Sequence, residues 1–410
     1  MNLIRPFLLL TLSAALLACG GSDKKDSVPA LNTQETLGAA LFNDTNLSLN
    51  RTQSCATCHM ADHAFVDAST DSSGATRAVS LGDDGVSLGD RNTPTAMYAA
   101  FAPDFQFAER SRFNTNQGGY TGWLGGQFWD GRATDLEAQA GGPFLNPVEM
   151  NMPDKASVIS RVLENTDYAE AFEYLYGDNI FDDTEAAYDA LTAAIASFER
   201  TATFAPFSSK YDKSLTGDYT YNPASLATTG KALFFSGQFT NCSTCHQLQR
   251  NNHREETFSG YEFHNIGVPE NTAARTANGS AAGFTDLGLA ANDAVADANN
   301  LSALEGKFRV PTLRNIGVTA PYMHNGVFAS LDTVIRFYDK HLANSDNTIN
   351  PETGVAWASP EIDRNISSVI LQSGPKLSDT DIQGLVCFLY SLTDEQFEDQ
   401  LPADAAECGL

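Results

Sequence analysis

Basic side chains are scarce in this chain of 410 residues, which has 25 Lys and Arg against 51 Asp and Glu and a formal net charge of −26. No basic stretch offsets that charge, so we expect no nucleic-acid partner. Apolar runs of membrane length are also missing after the first 20 residues, which excludes a multi-spanning membrane protein. Apolar residues still make up 42% of the chain, enough for sizeable cores, and the acidity favours a soluble protein that attracts cationic partners.

The N-terminal residues are typical of an export signal. Arg5 precedes an apolar stretch from Pro6 to Leu17 that is shorter than a transmembrane helix. The ending Leu16-Leu17-Ala18-Cys19 resembles a bacterial lipobox, which predicts a signal peptide over 1–18 and diacylation of Cys19. An ordinary cleaved signal with an incidental cysteine is the alternative. With residues 19–34 as a flexible tether, we expect a periplasmic protein that is lipid-anchored to the outer membrane.

Four of the seven cysteines form two copies of the motif Cys-x-x-Cys-His. The copies are Cys55-Ala-Thr-Cys58-His59 and Cys242-Ser-Thr-Cys245-His246. This is the attachment motif of c-type haem, in which two thioethers hold the macrocycle and the adjacent histidine ligates the iron. A redox dithiol and a split zinc site are alternatives, but neither explains a histidine after both pairs. The sequence therefore predicts two covalently bound c-type haems.

Two further cysteines, Cys387 and Cys408, lie near the C-terminus. An oxidising compartment permits a disulfide between them. A buried thiol and a frayed tail are the alternative.

Short segments recur in the same order in the two halves of the chain. The matching pairs are Gly38-Ala-Ala-Leu-Phe42 with Gly230-Lys-Ala-Leu-Phe234, Pro94-Thr95 with Pro311-Thr312, and Asp130-Gly131 with Asn325-Gly326. Leu136 and Leu331 each follow the last pair by five residues. Such duplicated order indicates two copies of one haem-binding unit. We predict an N-terminal haem domain over 35–215, a C-terminal haem domain over 216–395 and a tail over 396–410.

The coarse secondary structure is helical. Apolar residues recur at helical spacing between Thr184 and Arg200, and Ser378 is placed to cap a further amphipathic helix. The segments 71–90 and 271–300 are rich in Gly, Asn, Asp and Ser, which predicts long loops that wrap a ligand. The fold class that we predict is mainly α, with two cytochrome-c-like haem domains and long irregular loops.

The repeat predicts what faces each iron on the side opposite its histidine. Tyr338 lies twelve residues after Gly326, and Pro143 lies twelve residues after Gly131. A phenolate can ligate haem iron, whereas proline has no side-chain donor. We therefore expect a closed second haem and an open first haem, although Tyr338 could equally be a core aromatic.

Near Pro143 stand two polar side chains, Gln139 and Glu149. Cleavage of peroxide requires a group that moves a proton between its oxygens, and a carboxylate can do so. We assign that role to Glu149 and a positioning role to Gln139. A solvated glutamate after Asn146-Pro147 is the alternative.

The runs around these residues resemble the bacterial di-haem cytochrome c peroxidase family over nearly the whole mature chain. The matching runs are 127–132, 139–143, 146–150, 308–315 and 319–326. The resemblance implies that Trp129 lies between the two haems and that Gln139 and Glu149 form the distal pocket. It also implies one calcium ion between the haems, bound by Asn92 and by backbone oxygens of Thr319 and Pro321.

Two departures from the ordinary peroxidases resemble the MauG branch of the family. No histidine lies between Ala64 and Arg91, where those peroxidases carry a loop histidine that blocks the first haem. Tyr338 stands where they place a methionine on the second haem. Enzymes of the MauG branch use hydrogen peroxide to oxidise residues, such as Trp or Tyr, of a partner protein.

Three functions remain open from the sequence. The first is a MauG-like enzyme, in which peroxide binds at the haem of His59 and oxidising equivalents leave through Trp129 and the Tyr338-ligated haem. The second is a peroxidase that receives electrons from a small cytochrome or copper protein. The third is a non-catalytic di-haem electron carrier, which requires six ligands on both irons.

Some residues receive no functional assignment. The segment 101–126, long in comparison with compact relatives, is expected to be a plain surface loop rather than a partner surface. His253 and His341 have no predicted role. His264 could bond a haem propionate or lie in a surface loop.

Overall fold

The computed structural model describes residues 28–112, 117–248 and 255–410. The predicted signal peptide, the lipidation site Cys19 and His253 lie outside the described residues, as does most of the predicted tether. In the described part of the chain, no helix is both long and apolar enough to span a membrane.

The described fold is mainly helical, as predicted, with two small antiparallel sheets. Strands β1 (Gln106–Arg110) and β2 (Tyr120–Leu124) form a hairpin, and β3 (Phe263–His264) pairs with β4 (Phe308–Arg309). The helices are α1 (Gln34–Phe42), α2 (Cys55–Cys58), α3 (Leu136–Leu145), α4 (Lys155–Val162), α5 (Thr166–Tyr176), α6 (Thr184–Glu199), α7 (Lys210–Thr216), α8 (Leu226–Phe234), α9 (Cys242–Cys245), α10 (Thr272–Ala277), α11 (Leu331–Asp339), α12 (Ser368–Leu371) and α13 (Asp379–Tyr390).

Two helix pairs, α1 with α6 and α8 with α13, explain the first repeated segment. At each crossing the backbones touch at a glycine. A Cβ atom on Gly38 would lie 1.9 Å from the carbonyl oxygen of Ala194, and one on Gly230 would lie 1.7 Å from that of Gly384. Only glycine permits this approach, so the two glycines of the repeat fix equivalent helix crossings.

Each helix pair anchors its own hydrophobic core. The first core contains residues between Leu37 and Phe204 together with Phe397, and the second contains residues between Tyr211 and Cys408. This partition is compatible with the predicted units 35–215 and 216–395, whose boundaries stay a prediction.

Two local predictions are confirmed, and the question left open for Cys387 and Cys408 is resolved. Helix α6 begins at Thr184 and ends at Glu199, with Arg200 as its C-cap. The Ser378 side chain accepts a hydrogen bond from the Asp381 amide at the start of α13. Cys387 and Cys408 form a disulfide.

Segment 271–300 is only partly irregular, so its prediction as a long loop needs correction. It begins with helix α10, because the Asn271 side chain caps the Ala274 amide, and two short 3₁₀ turns follow. Segment 71–90 contains neither helix nor strand, as predicted.

The prediction of a plain surface loop over 101–126 is wrong for the described residues 101–112 and 117–126. The hairpin β1–β2 crosses from the first unit to the second, where Arg112 pairs with the fully buried Glu262 at 2.5 Å. Phe105 stacks on Trp123 at a centroid distance of 4.9 Å. The aromatic side chains and the buried ion pair therefore hold this segment against the protein as a defined element.

Candidate functional site

Both Cys-x-x-Cys-His motifs adopt the same local structure. Cys55–Cys58 and Cys242–Cys245 form the one-turn helices α2 and α9, and the following histidine is the C-cap of each. The His59 and His246 amides donate to the carbonyls of Cys55 and Cys242, at 2.9 and 3.0 Å. One turn of helix thus places both thiols and the histidine side by side, as the attachment of a haem requires.

A main-chain carbonyl orients each histidine ring. His59 Nδ1 donates to the carbonyl of Phe65 at 2.9 Å, and His246 Nδ1 donates to that of Phe258 at 3.1 Å. Both phenylalanines have positive φ, 54° and 55°. The bond fixes the tautomer and leaves Nε2 of each histidine available to coordinate iron.

The repeated Pro-Thr pairs support those carbonyls. The Thr95 hydroxyl donates to the carbonyl of Ala64 at 2.6 Å, and the Thr312 hydroxyl donates to that of Thr257 at 2.8 Å. Each acceptor immediately precedes the phenylalanine that binds the histidine. These threonines could be identified from the sequence as part of the repeat, but their position behind the histidines could not.

One cavity of about 920 Å³ connects the two motifs. All four motif cysteines and both histidines line it, together with Trp129, Pro143 and Tyr338. The haem-ligand side chains thus face a shared, mainly apolar space, and both imidazoles are oriented for coordination. The residues present therefore fit two c-type haems.

The structure places Pro143 and Tyr338 at equivalent positions on helices α3 and α11. Each helix follows a glycine with positive φ, Gly131 at 70° and Gly326 at 65°. Each helix is also capped by a side chain, Asp135 in the first unit and Ser330 in the second. The equivalence that the repeat predicted between Pro143 and Tyr338 is thus present in three dimensions.

Gln139 and Glu149 lie on the Pro143 side of the cavity and line it. Gln139 precedes Pro143 by one helical turn, so both lie on one face of α3. Asn146 Nδ2 donates to Glu149 Oε1 at 2.9 Å. Burial raises the pKa of Glu149 above its usual range, although Arg132 and the Asn146 bond act in the opposite direction.

Trp129 lies at the contact between the two units. Its indole Nε1 donates to the carbonyl of Asn92 at 2.8 Å. The Asn92 amide donates to the carbonyl of His324, and the Arg309 amide donates to that of Trp129, both at 2.8 Å. His324 is thus the counterpart of Trp129 in the second unit, a role that the sequence analysis missed although each residue directly precedes the Asp130-Gly131 or Asn325-Gly326 pair.

The three predicted calcium ligands, Asn92, Thr319 and Pro321, all line the cavity. Asn92 Nδ2 donates to the carbonyl of Ala78 at 3.0 Å, which commits its amide nitrogen and leaves Oδ1 for another partner. Asparagine and backbone oxygens are donors that calcium accepts.

The remaining histidines differ in their surroundings. His264 lies in strand β3 between Glu262 and Ser367, at 3.0 and 3.2 Å, and lines the cavity, so the surface-loop interpretation of it is wrong. His63 pairs with Asp62 and is not among the cavity residues. His341 packs against Phe337 and keeps no assigned role.

Glu199, at the end of α6, was missed by the sequence analysis. It is buried and lines the cavity, and burial raises its pKa to about 8. The amphipathic pattern of α6 offered a signal, because Glu199 follows Ile195 by one turn on the apolar face.

Residues 32–220 match the model of a protein family described as "Di-haem cytochrome c peroxidase". The chain is 44% identical over 394 residues to the methylamine utilization protein MauG of Paracoccus denitrificans, covering 96% of each protein. It is 31% identical to the protein of the same name from Methylophilus methylotrophus, covering 77% of this chain and 76% of that protein.

A solved structure has the same fold. The Y463M variant of the di-haem peroxidase BthA from Burkholderia thailandensis superposes with a TM-score of 0.79 at 26% identity, covering 92% of this chain and 90% of that one. With its two haem motifs, its cavity and these similarities, the chain belongs to the di-haem cytochrome c peroxidase and MauG family of haem oxidoreductases.

Proposed function

We propose that this protein uses hydrogen peroxide to oxidise side chains, such as Trp or Tyr, of a partner protein. The observation that carries the proposal is the asymmetry between the equivalent residues Pro143 and Tyr338, which face one cavity. One unit offers no donor opposite its histidine and the other offers a phenol. The 44% identity to a protein named MauG supports the same function.

Cys55, Cys58 and His59 would hold the first haem, and Cys242, Cys245, His246 and Tyr338 the second. When bound, the haems supply redox-active iron that reduces peroxide and accepts electrons from the partner. The chain itself provides an open pocket at Pro143, a ligand at Tyr338 and, beside Pro143, the proton-transfer group Glu149 with Gln139.

In the pocket, Glu149 would accept a proton from the bound peroxide and return it to the departing oxygen. Its carboxyl is oriented by Asn146. The Gln139 amide, one turn before Pro143, would donate a hydrogen bond to peroxide and hold it within reach of Glu149.

Between the units, Trp129 would carry electrons from the second haem to the first. Its indole N–H is bonded to the carbonyl of Asn92, a proposed calcium ligand with Thr319 and Pro321. A calcium ion at these oxygens would fix the Trp129 position through Asn92. We also propose export to the periplasm and lipid anchoring at Cys19.

Low-temperature EPR of the fully oxidised protein tests the proposal. We expect one high-spin and one low-spin ferric haem without prior reduction, because Pro143 has no side-chain donor that could ligate the first haem. Two low-spin haems would contradict the proposal and favour a plain electron carrier or a peroxidase that needs reduction. A variant tests the role of Tyr338 separately. After reaction with peroxide, the Tyr338→Phe protein should no longer stabilise the state in which the two haems together have lost two electrons. If that state formed and persisted unchanged, the proposed role of Tyr338 would be excluded.

A cytochrome c peroxidase is the second candidate, because Gln139 and Glu149 would serve both reactions. The chain is 27% identical to the cytochrome c peroxidase Ccp of Escherichia coli over 87% of this chain and 57% of that protein. Steady-state turnover separates the two. Rapid peroxide consumption with a small cytochrome or copper protein as donor would favour the peroxidase.

A further inference from the structure

Tyr98 and Asn315 are equivalent residues of the two units, and their side chains meet on one carboxylate. Each follows its Pro-Thr pair by three residues, and their φ values are 61° and 59°. The Tyr98 hydroxyl donates to Asp394 Oδ2 at 2.7 Å, and Asn315 Nδ2 donates to the same oxygen at 2.9 Å. The repeat therefore places an oxidisable side chain at this position only in the first unit.

Tyr98 is also connected to the first haem ligand. It lines the cavity that contains His59. The amide of Ala96, two residues earlier, donates at 3.1 Å to the carbonyl of Phe65, which also binds His59 Nδ1. A short path of covalent and hydrogen bonds thus connects the Tyr98 backbone with the His59 ring, along which electrons can move.

The surroundings of Tyr98 favour loss of its proton when it is oxidised. The Arg314 guanidinium carbon lies 5.5 Å from the centre of the phenol ring, which disfavours a second positive charge there. The hydroxyl proton points at Asp394, a fully buried carboxylate that also accepts hydrogen bonds from the amide and hydroxyl of Ser208, at 2.9 and 3.2 Å. Asp394 is therefore a base already in contact with the phenol.

We infer that Tyr98 is a redox-active residue that holds one of the two oxidising equivalents derived from peroxide as a neutral radical, with its proton on Asp394. This inference rests on the proposed function, because peroxide is the oxidant. It adds an oxidisable side chain to the two haems and Trp129, and it places that side chain in the unit that reacts with peroxide.

The electrons and protons balance in this step. Reduction of one hydrogen peroxide to two waters consumes two electrons and two protons, and the haem pair supplies both electrons. Tyr98 then returns one electron to the haem pair while its O–H bond breaks and the proton moves to Asp394 Oδ2. One electron from the partner protein later restores the phenol, and Asp394 returns the proton.

The test is EPR of the holoprotein frozen after addition of one equivalent of hydrogen peroxide without a partner. Tyr98→Phe removes the hydroxyl, and Tyr188→Phe is the matched control. Tyr188 is also buried in the first unit, but its hydroxyl donates at 2.6 Å to the carbonyl of Gly141, a group that cannot accept a proton. Protein grown with ring-deuterated tyrosine identifies a tyrosyl radical by its narrower signal, independently of any variant.

We expect a free-radical signal that narrows with deuterated tyrosine, disappears in Tyr98→Phe and persists in Tyr188→Phe. A signal that does not narrow, or that survives in Tyr98→Phe, would overturn the inference. Haem absorbance recorded on the same samples distinguishes a failure of this inference from a failure of the proposed function. If peroxide changes the haem spectrum but no radical forms, the inference fails alone, whereas an unchanged haem spectrum overturns both.

Discussion

Glu149 is the residue whose ionisation has the most direct consequence for the proposed reaction. A base must be ionised to accept a proton, and burial raises the pKa of Glu149. The rate of the reaction with peroxide should therefore fall as pH decreases through this raised pKa, at a higher pH than for an exposed glutamate. Stopped-flow absorbance across the acidic pH range measures the midpoint.

Glu149→Gln should slow the reaction with peroxide by about 10²- to 10⁴-fold, the usual contribution of a general base. The rate of this variant should also no longer fall as the pH decreases through the pKa of Glu149. Glu137→Gln is the control, because Glu137 pairs with Arg200 at the surface of the same region. A wild-type rate in Glu149→Gln would exclude the proposed role of this carboxyl.

At the residue scale, side chains with a distinctive chemistry could be predicted from the sequence and main-chain partners could not. The two haem motifs are read from residue type and spacing alone. The carbonyls of Phe65 and Phe258 that orient His59 and His246 have no side-chain signature. Their role depends on the folded path of the backbone.

At the scale of elements, the helix crossings should be sensitive to a single methyl group. Gly230→Ala would place a carbon atom against the carbonyl oxygen of Gly384, so α8 and α13 must separate. We expect the free energy of unfolding to fall by about 1–3 kcal/mol or more, as in overpacked cores. Chemical denaturation measures the change.

The matched control for this substitution is Gly118→Ala. Its new Cβ would meet no atom within 4 Å, so its stability should be close to that of the wild type. Equal stabilities of Gly230→Ala and Gly118→Ala would show that the crossing tolerates a wider spacing.

The hairpin β1–β2 should depend on the pair of Arg112 and Glu262. Arg112→Ala would leave the Glu262 carboxylate buried with His264 and Gln247 but without its guanidinium partner. Breaking a buried pair costs about 3–5 kcal/mol, so we expect lower stability and faster amide exchange in β1 and β2. Exchange mass spectrometry measures this. Arg77→Ala, which removes a charge from segment 71–90, is the control, and equal exchange in both variants would contradict the role of the pair.

This hairpin could not be predicted from the sequence, because Glu262, which pairs with Arg112, lies 150 residues away along the chain. Five-residue strands with charged and aromatic residues give a weak alternating pattern, and Gly and Asn nearby suggest a loop. Helices α6 and α13 were predicted correctly because their caps and apolar faces are local signals.

At the scale of the whole molecule, the two units are linked by reciprocal bonds. The Asn92 amide binds the carbonyl of His324 and the Arg309 amide binds that of Trp129. The order of repeated segments predicted two similar units, but not how they pair. Pairing across the units depends on surfaces that no single segment encodes, and so does the convergence of Tyr98 and Asn315 on Asp394.

The net charge of −26 predicts how the rate of association with a partner protein depends on salt. Long-range attraction to a cationic protein extends over about 30 Å at 0.01 M salt and about 8 Å at 0.15 M. The association rate with a cationic donor should therefore fall by about 10-fold or more over that range. Stopped-flow electron transfer measures the rate, with an acidic donor of similar size and potential as control. Because like charges repel, the rate for the acidic donor should rise with salt, and parallel salt dependences for both donors would mean that local contacts, rather than the overall field, control the encounter.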